Sequence, residues 1–345
     1  MRILITGGAG FVGSNLACAL AADHEVVALD SLKRRGSEIT LARLREAGAR
    51  FVHGDVRQPS DLAEAGAFDA LIECSAEPSV LAGIDGARDF LVHTNLFGAY
   101  NCFEAAARHG AQVIFLSTSR VYPLRHLTGL KLTETETRFE LDREQPAPGA
   151  SERGIAETFP LDGPRTLYGA TKLAAEHVLA EYELPWTINR CGVIAGPWQF
   201  GKVDQGVFTH WAIAHRFERP LSYIGFGGDG RQVRDLIHVD DLVDLVRAQL
   251  AAPEQWRGAT YNVGGGRAGS LSLRETTALC REISGREVPV GSVQETRPGD
   301  VPVYVSDCSA LFGRTDWRPR RTPRDTLEDI FRWIDDNAQV LERTL

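Results

Sequence analysis

The sequence predicts an α/β protein: a doubly wound parallel sheet with a smaller α/β domain interwoven with it. Three observations predict this. Short β-rich runs alternate with helical patterns through the first half of the chain, which is the mark of βαβ units. Val26-Val27-Ala28-Leu29 and Val113-Ile114-Phe115-Leu116 are continuously apolar, as strands covered by helices on both faces are. A glycine-rich segment directly follows the first strand and opens a helix.

Taken in order, strands are predicted near 2–6, 25–30, 50–53, 69–73, 112–117 and 186–190, with helices near 11–22, 37–47, 87–108 and 167–183. The pattern breaks between 119 and 166, where Pro123, Gly129, Pro146, Pro148, Gly149, Gly154, Pro160, Gly163 and Pro164 fall. A connection this long in a compact domain is usually functional, so 123–164 is expected to be an insertion at the mouth of a site. Beyond 190 come a helix near 206–217, a strand near 232–237, a helix at 239–251, a strand at 259–263 and a mixed tail ending in a helix from 324 to 342. The expected division is 1–190 plus 232–265 as the first domain, and 191–231 plus 266–345 as the second.

Composition narrows the function. At 345 residues, 43% hydrophobic and 24% charged, the chain is an ordinary globular protein of about two domains. Its net charge of −8 repels phosphate backbones and anionic lipid, which argues against a nucleic-acid or membrane partner. No apolar run is long enough to span a bilayer, and the start at Met1-Arg2-Ile3-Leu4 carries no secretory pattern. Cys18, Cys74, Cys102, Cys191, Cys280 and Cys308 form no CxxC pair, and they read as thiols of a cytoplasmic protein.

The segment Gly7-Gly8-Ala9-Gly10-Phe11-Val12-Gly13 has the GxxGxxG spacing. With 34 glycines, roughly 0.3 such matches arise by chance, so the strand-to-helix context carries the reading. In that context the glycines let the backbone approach a pyrophosphate, and the helix N-terminus offers free N–H groups. Asp30 ends the second strand, where an acid accepts both hydroxyls of an adenosine ribose and repels a 2′-phosphate. NAD is therefore favoured over NADP, although Lys33, Arg34 and Arg35 leave NADP open. Asp55-Val56, after the third strand, reads either as an adenine cover or as a plain turn.

Tyr168 and Lys172 stand at i and i+4 on one helix face. Seven Tyr and four Lys give roughly 0.08 such pairs by chance, so this signal outweighs the glycines. Only four of the 38 basic residues are Lys, and a Lys here indicates a compact point charge. A neighbouring cation favours a phenolate and makes tyrosine usable as a base near neutrality. Ser117-Thr118-Ser119 ends the strand 112–117, at the carboxyl edge where ligands of doubly wound folds bind. A hydroxyl there can relay a proton between substrate and Tyr168.

These residues together resemble the extended short-chain dehydrogenase/reductases, the nucleotide-sugar epimerases and dehydratases built on a Rossmann sheet. The resemblance rests on TGGAGFVGSN at 6–15, Asp30, Asp55, Asn95, Ser117-Thr118, Tyr168/Lys172 and VRDLIHVDDL at 233–242. It implies bound NAD, a sugar nucleotide in the second domain, and a catalytic set that alignment on Val121-Tyr122 makes Thr118, Tyr168 and Lys172. The cofactor contacts it implies are Gly7, Ala9, Gly10, Phe11, Val12, Gly13, Asp30, Asp55, Val56, Ser75, Asn95, Ser117, Tyr168 and Lys172. The resemblance further implies a homodimer or homotetramer through the apolar faces of helices near 99–107 and 171–180, which the sequence alone would equally allow to pack in the core.

Dehydratases of this family carry Asp-Glu after the catalytic Thr, and decarboxylases carry Glu two positions after it. This chain has Ser119-Arg120, which disfavours elimination and leaves oxidation followed by re-reduction. Thr133–Phe139, Asp204-Gln205-Gly206 and Gly230–Asp235 are most similar to the CDP-tyvelose (CDP-paratose) 2-epimerase branch, which implies a CDP-sugar. A 4-epimerase or ketoreductase shares the same residues, and a non-catalytic dinucleotide sensor would be expected to lack Tyr168 or Lys172. The chain departs from its relatives at Glu73-Cys74-Ser75-Ala76-Glu77-Pro78 and at Ala195-Gly196-Pro197. Substrate contacts are expected from Glu77, Thr118, Ser119, Gln199, Gln205, Arg231, Arg234 and Arg297, with Lys202 beside them. The arginines suit a diphosphate by their planar fork. His210, His215 and His238-Val239-Asp240-Asp241 lack ligand spacing, so no metal site is expected.

Overall fold

A computed structural model describes residues 1–79, 82–83, 88–200 and 205–344. Two compact units emerge. The first contains Met1–Val121, Leu167–Arg190 and Leu242–Thr260, and the second contains Tyr122–Thr166, Cys191–Asp241 and Tyr261–Leu345.

The first unit is built on β1 (Arg2–Thr6), β2 (Glu25–Asp30), β3 (Arg50–His53), β4 (Ala70–Glu73) and β5 (Gln112–Thr118), extended by strands Trp186–Cys191 and Ala259–Val263. The seven-strand order is Ala259–Val263, Trp186–Cys191, β5, β4, β1, β2, β3. The pairs β1/β2, β2/β3, β1/β4 and β4/β5 are all parallel. Ile3, Leu4 and Ile5 are all fully buried, so this sheet is covered on both faces, as its unbroken apolar strands require. One core beside it joins Leu4, Val27, Leu29, Leu71, Phe103, Phe115, Ala175 and Leu179. Chain order reverses between β1 and β4, so Thr6 and Glu73 face one another across the topological switch point, where ligands of such sheets bind.

The helix expected at 87–108 is broken into Arg88–Val92, a π turn at His93–Phe97 and Gly98–His109. Gly98 permits this packing, because a Cβ there would lie 2.7 Å from Cγ2 of Val56. The helix expected at 37–47 is a 3-10 turn Ser37–Thr40 followed by Leu41–Glu46, and the tail helix is Pro323–Asp336 followed by Ala338–Thr344. Within the expected mixed tail lies a further helix, Leu273–Ser284, which starts with a capping box between Ser272 and Glu275.

In the second unit, strand Val233–His238 pairs parallel with Val193–Ala195 and Val303–Tyr304 and antiparallel with Ser270–Ser272. The boundaries therefore differ from the expected division, because hydrogen bonding puts 233–238 in the second unit's sheet. The segment 123–164 also groups there. It forms two hairpins, Leu132–Glu134 with Phe139–Leu141 and Ala150–Ser151 with Gly154–Ile155. The Phe139 N–H donates to the Arg231 carbonyl at 3.0 Å, and Ile155 N–H to that of Val305 at 2.8 Å. Helices Val207–Arg216, Leu273–Ser284 and Pro323–Asp336 close this unit's core around Phe208, Trp211, Cys280, Leu327 and Ile330.

Asp235 makes this unit sensitive to pH. It is fully buried, accepts from the N–H groups of Ser306 at 3.1 Å and Gly266 at 3.3 Å, and its Oδ1 has no hydrogen-bond partner among the described residues. Burial pushes its carboxyl up from 3.8 to about 6. With the folded pKa raised, its stabilising contribution is complete below pH 3.8 and is lost as pH rises through about 6. The loss is about 3 kcal/mol. Asp235→Asn is expected to flatten that dependence, read as urea midpoints at pH 5 and 7.5 converging relative to the parent; a parallel profile in the variant would refute it.

Candidate active site

The glycine turn is dictated by close packing. Gly7 has φ +64° and lies against the Cys74 backbone, while a Cβ on Gly13 would stand 2.2 Å from the Gly7 carbonyl oxygen. At Gly10 a Cβ would meet only the Gly7 oxygen, at 3.1 Å, so that side of the turn is open. Helix α1 (Phe11–Leu20) begins there with neither a side-chain cap nor an acid in its first turn. The amides of Phe11, Val12 and Gly13 are thus set out for an anion. Ala9 is buried, and its N–H donates to Oδ2 of Asp30 at 3.1 Å, while the Leu32 N–H donates to Oδ1 at 2.8 Å. Burial raises the Asp30 carboxyl, and the hydrogen bonds from Leu32, Ala9 and Gly10 oppose this. The carboxylate keeps acceptor capacity toward a ribose hydroxyl.

Asp55 is held in an ion pair with Arg57, Nη2 to Oδ2 at 2.5 Å, which lowers its carboxyl. Val56 is core, and its carbonyl accepts from Asn101 at 3.0 Å. Asn95, buried in the π turn, accepts from the Glu77 N–H at 2.8 Å and donates to the Glu77 carbonyl at 3.1 Å. It thereby holds the loop that follows β4, and the Glu77 carboxylate turns back toward the Ser79 N–H at 3.4 Å.

Helix Leu167–Ala180 carries Tyr168 and Lys172 one turn apart, and its buried face includes Lys172, Ala175, Glu176 and Leu179. The Lys172 ammonium lies 3.4 Å from Oε2 of Glu73 and 4.1 Å from the centroid of the Phe115 ring. Ser75 donates to the other Glu73 oxygen and lies 3.4 Å from the Thr6 hydroxyl. Thr118 ends β5, and its Oγ1 accepts the Arg120 N–H at 3.2 Å; Ser119 opens the 3-10 turn Ser119–Val121. Ser117 donates to Glu176, itself paired with Arg190 at 2.7 Å, so this hydroxyl is tied into the unit's interior.

The expected substrate residues of the second unit are more constrained than the sequence suggested. Arg234 donates to Asp300 at 2.5 Å, to the Val301 carbonyl at 2.6 Å and to the Val233 carbonyl at 2.7 Å. Arg297 lies in the same turn, where the Asp300 N–H donates to its carbonyl at 3.2 Å. Arg231 pairs with Glu134 of the first hairpin at 3.0 Å. The Gln199 amide donates to the Ile194 carbonyl at 3.1 Å and accepts from Thr209 at 2.7 Å, which braces its own loop. Gln205 is half-buried ahead of helix Val207–Arg216, and Lys202 and Asp204 lie outside the described residues.

A family described as "NAD dependent epimerase/dehydratase family" matches residues 3–264. The chain belongs to that family. It is 30% identical to the CDP-paratose 2-epimerase of Salmonella typhi, over 96% of this chain and 99% of that protein. It is also 30% identical to a dTDP-glucose 4,6-dehydratase of Mycobacterium tuberculosis, over 98% and 94%. Among solved structures, the UDP-glucose 4-epimerase of Thermus thermophilus in complex with NAD is similar at TM-score 0.75 and 26% identity, covering 97% of this chain and 99% of that one.

NAD is the cofactor of this epimerase/dehydratase family, and the residues present fit it: an open glycine turn, an uncapped helix start and an acid with acceptor capacity to spare. No motif marks Glu176 or Arg190, and Glu73 is expected only as part of a stretch that lines the nicotinamide and sugar pockets. A signal for Glu73 was available, since an acid closing the apolar strand Ala70-Leu71-Ile72 demands a partner. Among the described residues, no helix is long and apolar enough to cross a membrane.

Proposed function

We propose that this NAD-dependent enzyme epimerises a nucleoside-diphosphate sugar, interconverting CDP-paratose and CDP-tyvelose at C2. The observation that carries the reading is the pair Ser119-Arg120 directly after Thr118, where no carboxylate is available to drive elimination. The similarity to a CDP-paratose 2-epimerase, which spans both chains nearly end to end, supports the choice of sugar.

The chemistry that NAD supplies when bound is reversible acceptance of a hydride from the sugar carbon. Tyr168, as phenolate, takes the proton of the C2 hydroxyl while the C–H bond at C2 gives up its hydride, leaving a ketone. Lys172, one turn along the helix, favours that phenolate and serves the nicotinamide ribose. Thr118 donates to the substrate oxygen and holds it against Tyr168. With NAD bound, the 2-ketosugar would turn over and be reduced from its opposite face, and Tyr168 would return the proton to the oxygen. Asp30 holds the adenosine ribose and the amides of α1 hold the pyrophosphate, with Ser75, Asn95 and Glu77 shaping the loop after β4. Arg297 is assigned to the substrate diphosphate, and Arg234 is secondary because Asp300 and the carbonyls of Val233 and Val301 already hold its guanidinium. Arg231 is secondary because Glu134 holds it, and Gln199 is left out because its amide is satisfied within its loop. Association as a homodimer would use helix Gly98–His109, which carries the exposed Tyr100, with the exposed Phe97 just ahead of it.

Proton NMR of the purified protein with CDP-paratose in D₂O, without added cofactor, tests this. CDP-tyvelose with no deuterium at C2 is expected, since the hydride never leaves the site. Absence of product, with NAD released on denaturation, would refute the sugar and leave the redox reading standing.

A further inference from the structure

We propose that Glu73 is a positioning residue for Lys172: its carboxylate fixes the ammonium and offsets its charge, so that the pair sets the pH at which Tyr168 becomes a base. The geometry carries this. Glu73 ends β4 at the switch point and is completely buried, and its Oε2 lies 3.4 Å from the Lys172 Nζ, whose side chain is 3% exposed. The other oxygen accepts from Ser75, whose hydroxyl lies 3.4 Å from Thr6 at the end of β1, so the carboxylate is held through Ser75 toward that strand end. The Phe115 ring lies beneath the ammonium at 4.1 Å. Lys172 is thereby confined among Glu73, Phe115 and its own helix.

The helix also packs against segments that carry Arg88, Asp89, His93 and Arg120, but among the described residues the contact to the Lys172 ammonium comes from Glu73. Glu176 and Arg190 neutralise one another at 2.7 Å, and burial holds the Cys102 thiol well above its ordinary range and therefore protonated. Glu73 is the carboxylate that meets Lys172. A lysine alone favours the phenolate of Tyr168 strongly, whereas a lysine paired with a carboxylate favours it less. The effect is to delay loss of the Tyr168 proton to higher pH and to aim the ammonium without relying on a flexible four-carbon stem.

The inference rests on Tyr168 as the base but not on which sugar is turned over, and its readout needs no substrate. Phenolate formation is followed by ultraviolet difference absorbance on the purified holoenzyme, with Tyr168→Phe subtracted as reference. Glu73→Gln is expected to move the Tyr168 step to lower pH by about one unit, and Lys172→Met to move it to higher pH. The Gln variant is also expected to retain less NAD through gel filtration. An unchanged Tyr168 step in Glu73→Gln overturns the proposal, as does a shift to higher pH. Should that variant not fold, Glu73→Asp keeps the charge but draws it back by one methylene. It is expected to shift the step the same way by less, and an unchanged step there overturns the proposal equally. If Tyr168→Phe itself turns over sugar, the base assignment fails instead, which is a separate result.

Discussion

Tyr168→Phe is expected to reduce kcat by roughly 10³-fold while the protein still purifies with NAD, because a positioned general base contributes about 10²- to 10⁴-fold. The substitution removes one hydroxyl and keeps the ring. The Tyr168 carbonyl still accepts from Thr171 at 2.8 Å, so the start of helix Leu167–Ala180 is preserved. Most of the groups assigned to the cofactor lie elsewhere: the open side of the glycine turn at Gly10, the first-turn amides of α1 and the Asp30 carboxylate fixed by Ala9 and Leu32. Lys172 keeps its contact with Glu73, which does not depend on the phenol. Binding and chemistry should therefore separate, with the NMR conversion rate falling and the NAD released on denaturation unchanged. If kcat stays within tenfold of the parent, Thr118 or solvent is the base. If activity and NAD fall together, Tyr168 holds the cofactor rather than the proton.

The parallel sheet was legible because its signals are local. Unbroken apolar strands report burial on both faces, and the residues of the turn from Gly7 to Gly13 are constrained by steric contacts within a few residues and with the neighbouring strands. Tyr168 and Lys172 were legible for the same reason, since helix periodicity fixes their shared face. Partners distant in sequence were not legible. Glu73 meets Lys172 across 99 residues and Arg234 meets Asp300 across 66, and no spacing rule links them. The second unit was read poorly because its strands are short and paired out of order, so that Val233–His238 takes partners from three separate segments. One signal there was available: Ser272 followed three residues later by Glu275 is a helix start, and the structure uses it. Asn95 was placed in the site by resemblance, and the structure adds that its amide braces the backbone at Glu77.

The largest stability effect is expected at Arg190, which no motif marked. Both oxygens of Glu176 face its guanidinium, with Nε at 3.2 and 3.1 Å and Nη2 at 2.7 Å, and Ser117 donates to the same carboxylate. The two side chains are 7% and 5% exposed, so solvent does not screen them. Arg190→Leu leaves Glu176 as a buried charge without its cation, which costs about 3 to 5 kcal/mol. That is a large share of the roughly 5 to 15 kcal/mol that holds a typical folded protein together. Urea denaturation should show the midpoint falling accordingly, while Arg190→Leu with Glu176→Leu should recover much of the loss, because two apolar groups leave no charge stranded. If the single and double variants unfold together, the pair contributes packing rather than compensation of charge. The same contact joins the helix of Tyr168 and Lys172 to β5 and to the strand Trp186–Cys191. The folded fraction of Arg190→Leu should therefore also turn over more slowly, since the catalytic side chains stand one and two turns from the anchor that has been removed.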